Sequence, residues 1–188
     1  MKIVILGWGS LIWNPKTLKH NKTFGWQIDG PILPLEFARI SKDGRLTLVI
    51  TENGTKVQTL YTISCYSTVE DAVLNLKLRE GNKRTPVGFY NKRISNSKTK
   101  NGVQIEAMKS WLKDKKDFDA VIWTDLGEKW ESEEFGLINP NERIEYLKKL
   151  TGSKAALAQE YIRKTPAQID TKYRKLIERD LNWQPIIT

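Results

Sequence analysis

The sequence predicts an α+β domain, built from a curled mixed sheet or a small β-barrel with helices packed outside. Apolar, strand-like runs occupy the first third of the chain, and amphipathic helical patterns occupy the last third. Strands and helices do not alternate regularly, which argues against a parallel sheet of repeated βαβ units. The 188 residues are enough for one domain with a closed core. We therefore expect a single domain over residues 1–188, with residues 139–188 as a helical C-terminal extension.

The predicted strands are apolar runs, continuous or alternating, that are separated by tight-turn signals such as Asn-Gly. Four of them lie at Lys2–Leu6, Ile32–Ile40, Arg45–Thr51 and Val57–Tyr66. Two more are predicted at Val87–Ile94 and in the run FDAVIWTDL at residues 118–126. In the fourth strand, a period of two places Cys65 on the same face as Ile63, which predicts a small, buried side chain.

The predicted helices are marked by capping residues and by apolar positions three or four residues apart. Thr68 precedes Asp71 by three residues, as in a capping box, and this predicts a helix that ends near Glu80 with Gly81 after it. Apolar residues between Ile105 and Leu112 indicate a second helix. The starts of three later helices are signalled by Pro140, by Ser153, and by Pro166 with Thr171.

Composition excludes several classes of function. One cysteine, Cys65, and one histidine, His20, make neither an internal disulfide nor a Cys/His metal site, so we expect no metal. The chain has no run of about 18 apolar residues, and its N-terminal apolar stretch is too short for a signal peptide. We expect a cytoplasmic protein with no membrane partner.

The net charge of +9 is concentrated in one part of the sequence. Between Lys77 and Lys116 there are twelve Lys or Arg residues and three acidic residues, and 12 − 3 = +9. Solvated loops explain such a run most simply. The alternatives are attraction of a small anionic substrate and binding of nucleic acid. Nucleic acid is the less favoured partner, because the sequence has no helix-turn-helix, zinc-finger or RNP signature.

A glycine-rich loop follows the first strand in the stretch GWGSLIW. Gly7 and Gly9 remove side chains where the strand ends, so that backbone N–H groups can turn toward a ligand. Ser10 and the amides from Gly7 to Leu11, including that of Trp8, could then bind a carboxylate or an oxyanion. The alternative is an ordinary turn or bulge, which is the commoner role of Gly-x-Gly at a strand end.

Three segments in order resemble the γ-glutamylcyclotransferase-like superfamily, which includes the ChaC-type enzymes and the γ-glutamylamine cyclotransferases. GWGSLIW resembles the family's Tyr-Gly-Ser loop, and VQTLYTI resembles the strand that carries a Leu-Tyr pair. LNLKLREG resembles the helix end that carries the family's catalytic glutamate, which by residue type and order is Glu80. The resemblance covers residues 2–90, with Trp8 where the family usually has tyrosine.

The resemblance implies an enzyme that cyclises a small γ-glutamyl compound to 5-oxoproline and releases an amine. Glu80 would remove a proton from the substrate's α-ammonium, and the loop amides would hold its carboxylate or the developing oxyanion. No cofactor is implied. Independently, the last turn of a helix disfavours a carboxylate because of the helix dipole, so a sequence selected for stability would place lysine there. The alternative role for Glu80 is a surface pair with a neighbouring cation such as Arg79 or Arg84.

Three other side chains are candidates for substrate contact. Arg39 could pair with a substrate carboxylate through two hydrogen bonds, although a strand-end arginine more often faces solvent. Tyr61 and Tyr90 could form walls of the pocket, although core packing is the commoner role of such rings. A second hypothesis makes the protein a non-catalytic binding module of the same fold, whose basic stretch meets an anionic partner such as RNA. The oligomeric state is not predicted.

Overall fold

The computed structural model describes residues 1–99 and 105–186 of the chain, which form five α-helices and ten β-strands. The strands are β1 (Ile3–Gly7), β2 (Ile32–Ile40), β3 (Leu46–Ile50), β4 (Thr55–Gln58), β5 (Leu60–Ile63), β6 (Val87–Asn91), β7 (Asn96–Lys98), β8 (Ala120–Thr124), β9 (Glu131–Ser132) and β10 (Gly136–Leu137). The helices are α1 (Val69–Glu80), α2 (Ile105–Asp114), α3 (Arg143–Lys149), α4 (Gly152–Lys164) and α5 (Lys172–Leu181). The α+β class is thus confirmed.

The described residues group into two compact units, each made from two separate stretches of sequence. The first unit contains residues 1–33 and 58–126, and the second contains residues 34–57 and the chain from residue 127 onward. In the second unit, the helices of the C-terminal third lie with the strands of residues 34–57. The assignment of one domain with a helical extension at 139–188 stays a prediction.

The first unit is built on an open, five-stranded mixed sheet in the order β5-β1-β8-β6-β7. β1 and β8 run parallel, and the other neighbours run antiparallel. The sheet does not close into the barrel that the sequence had left possible, because β5 and β7 form two separate edges. β7 has only three residues, all exposed, so few of its backbone groups are available to pair with a further strand.

Helix α1 covers one face of this sheet and begins and ends at the predicted residues. The Thr68 side chain accepts a hydrogen bond from the Asp71 backbone N–H, and Gly81 follows the helix with φ = 141°, a conformation that favours glycine. Val69, Ala72 and Leu76 pack in the core of the unit against apolar residues of β1, β6 and β8. This face therefore carries Ile5 of β1 and Ile122 of β8.

Helix α2 belongs to the opposite face. Leu6 and Tyr61 are paired across β1 and β5, so their side chains share a face, and that face is opposite to Ile5 because successive strand residues alternate. Tyr61 contacts Trp111 of α2 in an edge-to-face arrangement, with ring centroids 5.0 Å apart. The two helices thus enclose the sheet between them.

The second unit contains a three-stranded sheet in the order β3-β2-β4 and a short β9–β10 hairpin. Helix α4 packs on β3, and α3 packs on α5. The Thr171 side chain caps α5 by accepting a hydrogen bond from the Arg174 N–H. Helix α4 begins at Gly152, and its cap position is Thr151, two residues before the predicted cap Ser153.

The predicted strand Val57–Tyr66 is wrong in its extent. It is interrupted at Thr59, whose N–H and hydroxyl both donate to the Pro31 carbonyl instead of continuing a ladder. The segment therefore becomes two strands in different sheets, β4 and β5. Because β5 ends at Ile63, the alternation does not extend to Cys65, which is exposed rather than buried.

Gly88 lies directly opposite Trp123 in the β6–β8 ladder, and the indole occupies the space above it. A Cβ atom on Gly88 would stand 2.3 Å from Trp123 Cε2. We expect Gly88→Ala to lower the free energy of unfolding by about 1–3 kcal/mol, because the buried ring has no room to move. Urea denaturation followed by far-UV circular dichroism measures this.

The control is the double variant Gly88→Ala/Trp123→Leu. If overlap with the indole is the cause, the double variant will lose less stability than the sum of the two single variants. Strictly additive losses would contradict the explanation.

Candidate active site

The ends of three elements, β1, β8 and α1, meet where the carboxyl ends of the parallel strands lie. The carboxyl ends of the parallel strands β1 and β8 lie at the same edge, so the loop after Gly7 and the hydroxyl of Thr124 are neighbours there. Thr124 is on the α1 face, since it lies two residues after Ile122. The last turn of α1 reaches this edge and brings Glu80 to Thr124.

The Glu80 carboxylate is held by one oxygen only. Its Oε1 accepts hydrogen bonds from Arg79 Nη1 at 2.8 Å and from the Thr124 hydroxyl at 3.3 Å. Within residues 1–99 and 105–186, its Oε2 has no hydrogen-bond partner. The side chain is 15% exposed. Glu80 does pair with the adjacent arginine, as the sequence alternative proposed, but the pair is largely buried instead of lying at the surface.

Arg79 joins the end of α1 to the glycine-rich loop. Its side chain is 5% exposed, and Nη2 donates both to the Ser10 hydroxyl at 3.1 Å and to the Asn14 carbonyl at 2.7 Å. Its buried Nε has no partner among the described residues. Sequence reasoning treated Arg79 only as a neighbour of Glu80. The available signal was its position three residues after Leu76, on the buried stripe of the helix.

The loop after β1 is compact and mostly buried. Trp8, Gly9 and Leu11 are buried, and Ser10 is half-buried. The loop folds by bonds from the Ile12 N–H to the Gly9 carbonyl and from the Asn14 N–H to the Ser10 carbonyl.

Gly7 has a packing role, and three amides of the loop are left without an acceptor among the described residues. A Cβ atom on Gly7 would stand 2.5 Å from the Trp26 ring, so glycine is required there for close packing. The amides of Gly9, Ser10 and Leu11 have no acceptor in the described part of the chain. Three of the predicted oxyanion-binding amides, those of Gly9, Ser10 and Leu11, are therefore not consumed by the fold.

The structure does not bring Tyr61 and Tyr90 to Glu80. Tyr61 lies on the α2 face, and so does Tyr90, because it pairs with Val121 one residue before Ile122. The Tyr61 ring contacts both Trp111 and Phe118. Both tyrosines are thus separated from Glu80 by the sheet, and neither forms a wall of this site.

Tyr61 instead belongs to a charged aromatic cluster. An ion pair joins Lys115 to Asp29, and the ammonium lies 5.4 Å from the centre of the Tyr61 ring. The hydrogen bond to Asp29 raises the pKa of Lys115, and the same bond lowers the pKa of Asp29. Burial, followed by the charge of Asp29, raises the pKa of Tyr61. This tyrosine is a neutral packing residue that anchors α2.

Arg39 belongs to the second unit, where its side chain makes a structural hydrogen bond. Its Nη1 donates to the Gly127 carbonyl at 2.8 Å, and burial lowers the pKa of its half-buried guanidinium. Glu36 of the same strand is buried and accepts hydrogen bonds from the Thr171 hydroxyl and the Tyr173 N–H, at the start of α5. These contacts make Glu36 a structural cap, and both of its carboxylate oxygens accept hydrogen bonds. In Glu80, by contrast, only Oε1 accepts hydrogen bonds from the described residues.

The basic stretch from Lys77 to Lys116 is partly neutralised inside the first unit. Four of its cations form ion pairs: Arg79, Arg93, Lys109 and Lys115. Lys92 donates to backbone carbonyls. Lys100 lies outside the described residues. The stretch is therefore not one continuous basic surface, although Lys77, Arg84 and Lys98 form no ion pair with any of the described residues.

Comparisons with protein-family models, with curated proteins and with solved structures give no significant match. Among the helices of residues 1–99 and 105–186, none has the length and apolar character to cross a membrane. The same residues contain no group of three or more His, Cys, Asp or Glu side chains that could hold a metal ion.

Arg79 makes a testable contribution to stability. We expect Arg79→Gln to lower the free energy of unfolding by about 2–4 kcal/mol, because it removes a buried charge partner and frees the loop. Thermal and urea denaturation measure the loss. The matched control is Arg93→Gln, since Arg93 pairs with Asp119 at 2.7 Å but its side chain is 59% exposed.

The control variant should lose about 1 kcal/mol or less, as exposed ion pairs do. Equal losses in the two variants would show that burial of the Arg79 guanidinium is unimportant.

Proposed function

We propose that the protein is a γ-glutamylcyclotransferase-like enzyme, which cyclises a small γ-glutamyl compound to 5-oxoproline and releases an amine. The observation that carries the proposal is the hydrogen bonding of Glu80: one carboxylate oxygen accepts two hydrogen bonds, the other accepts none from the described residues, and the adjacent Arg79 binds Ser10 of the glycine-rich loop. This is the geometry that a general base needs, because it must be oriented and still able to accept a proton. The family resemblance of residues 2–90 supports the same role.

In the proposed reaction, Glu80 Oε2 takes a proton from the α-ammonium of the bound substrate. The freed amine attacks the γ-carbonyl carbon, a C–N bond forms, and the carbonyl oxygen becomes an oxyanion. The attacking nitrogen then releases its remaining extra proton to solvent, the old C–N bond to the leaving amine breaks, and the leaving nitrogen takes the proton from Glu80. The products are 5-oxoproline and the free amine, so atoms and charges balance without a redox step.

Three groups of the loop support the oxyanion part of this proposal. Ser10 Oγ accepts a hydrogen bond from Arg79, so its own proton is available for a substrate oxygen. The amides of Gly9 and Leu11 are donors without an acceptor among the described residues. Fixed donors of this kind stabilise charge that develops in a transition state. The cyclisation also gains from proximity, since amine and carbonyl belong to one molecule.

The superfamily's fold is part of the same proposal. The α+β class, the loop directly after β1 and the helix that ends at Glu80 support it. Tyr61, Tyr90 and Arg39 are left out of the proposed substrate site. The binding-module hypothesis is weaker, because ion pairs within the unit already engage several cations of the basic stretch.

The first experiment measures 5-oxoproline by mass spectrometry after incubation of the protein with a panel of γ-glutamyl compounds. The panel contains glutathione, γ-glutamyl amino acids, a γ-glutamyl-lysine isopeptide and γ-glutamylated amines. We expect product from the wild type and a loss of about 10²–10⁴-fold in Glu80→Gln, because a positioned base contributes that much. The variant keeps Oε1 as an acceptor for Arg79, so we expect it to fold.

The control variant is Glu106→Gln, which removes an exposed carboxylate of α2 and should keep full activity. Circular dichroism confirms that each variant is folded. A folded wild type that turns over no member of the panel would overturn the proposal, and so would full activity of Glu80→Gln.

A further inference from the structure

A cavity of about 460 Å³ lies on the α1 side of the five-stranded sheet, between α1 and the β6–β7 edge. Its apolar wall is made by Val69 and Val73 of α1 and by Val87 and Phe89 of β6. The volume is in the range of sites that hold small organic molecules. Glu80 does not line this cavity, so it is distinct from the proposed catalytic position.

Three cations surround the cavity and come from three different segments. Lys77 projects from α1, Arg84 from the loop after it, and Lys98 from β7. Within the described residues, none of the three side chains has an ion pair or a hydrogen bond. Their neighbours in sequence, Arg79 and Arg93, are both paired. Unpaired like charges around a concave surface repel one another, and an anion placed between them relieves this repulsion.

Two carboxylates also line the cavity, Glu70 and Asp125. Asp125 is buried, and its Oδ2 accepts a hydrogen bond from the Thr99 hydroxyl at 2.9 Å. Among the described residues that line the cavity, three cations against two carboxylates leave an excess of 3 − 2 = +1. Arg84, Lys98 and Glu70 are exposed while Asp125 is buried, so an entering ligand meets two cations and one carboxylate first.

We propose that this cavity binds a small organic carboxylate with an apolar body. The apolar part packs on Val73, Val87 and Phe89, and the carboxylate meets Lys77 and Lys98. The site does not depend on Glu80 or on the proposed cyclisation. It also gives a reason for the basic character of residues 77–98 that solvated loops do not supply.

The experiment uses 3-phenylpropionate as the probe, titrated into the ¹⁵N-labelled full-length chain and followed by two-dimensional NMR. We expect saturable shifts of backbone signals in α1, β6 and β7. The neutral analogue 3-phenylpropan-1-ol should bind about tenfold more weakly, which is the effect expected from loss of contacts with partly exposed cations. Absence of saturable binding, or equal binding of the alcohol, would overturn the proposal.

Two sets of variants locate the site. The double variant Lys77→Gln/Lys98→Gln should weaken binding of 3-phenylpropionate about tenfold. Val73→Trp should abolish it by filling the cavity, and its melting curve shows whether it is folded. The matched control Lys22→Gln/Lys116→Gln removes two exposed lysines that do not line the cavity and should bind normally. Equal weakening in both double variants would mean that binding depends only on the overall charge of the protein, and it would overturn the proposed site.

L-Phenylalanine distinguishes the subclass of ligand. Tighter binding than 3-phenylpropionate would support a site for amino acids, in which the ammonium meets Glu70 or Asp125. Weaker binding would support a site for simple carboxylates, because the cations around the cavity would then repel the added ammonium more than Glu70 or Asp125 attracts it.

Discussion

The buried guanidinium of Arg79 is the interaction on which the arrangement of the candidate site depends. A cation withdrawn from water must find acceptors, and Arg79 finds them in its neighbour Glu80, in the Ser10 hydroxyl and in the Asn14 carbonyl. These acceptors belong to two elements that are far apart in sequence. The same contacts that satisfy the arginine therefore fix the distance between the helix end and the loop, and they orient one oxygen of Glu80.

Successive side chains of a strand point to opposite faces of the sheet, and this decides which residues can reach Glu80. Thr124 and Trp123 are adjacent in sequence, yet only Thr124 faces α1 and reaches Glu80. Trp123 faces the other side, where the absence of a side chain on Gly88 admits its ring. The sheet thus separates two kinds of environment: a polar edge beside α1, and an aromatic layer beside α2 in which Tyr61 is a packing residue.

Sequence predicted those features that depend on local chemistry. The cap at Thr68, the stop at Gly81 and the helical starts in the last third need only neighbouring residues, and they were found in place or within three positions. The placement of Tyr61 depends on strand pairing, which one sequence does not reveal. The break at Thr59 depends on a contact with Pro31, 28 residues earlier. Arg79 was missed because a charged side chain in a basic stretch is usually assigned to the surface.

The discontinuous composition of the units has a consequence for synthesis on the ribosome. Strands β2 and β3 leave the ribosome early, but α4, which packs on β3, comes more than 100 residues later. During translation the apolar residues Leu46 and Leu48 of β3 stay without their helical cover while about 100 further residues are added. The nascent chain of this protein is thus a candidate client for chaperones that bind exposed strands, although the finished protein buries these residues.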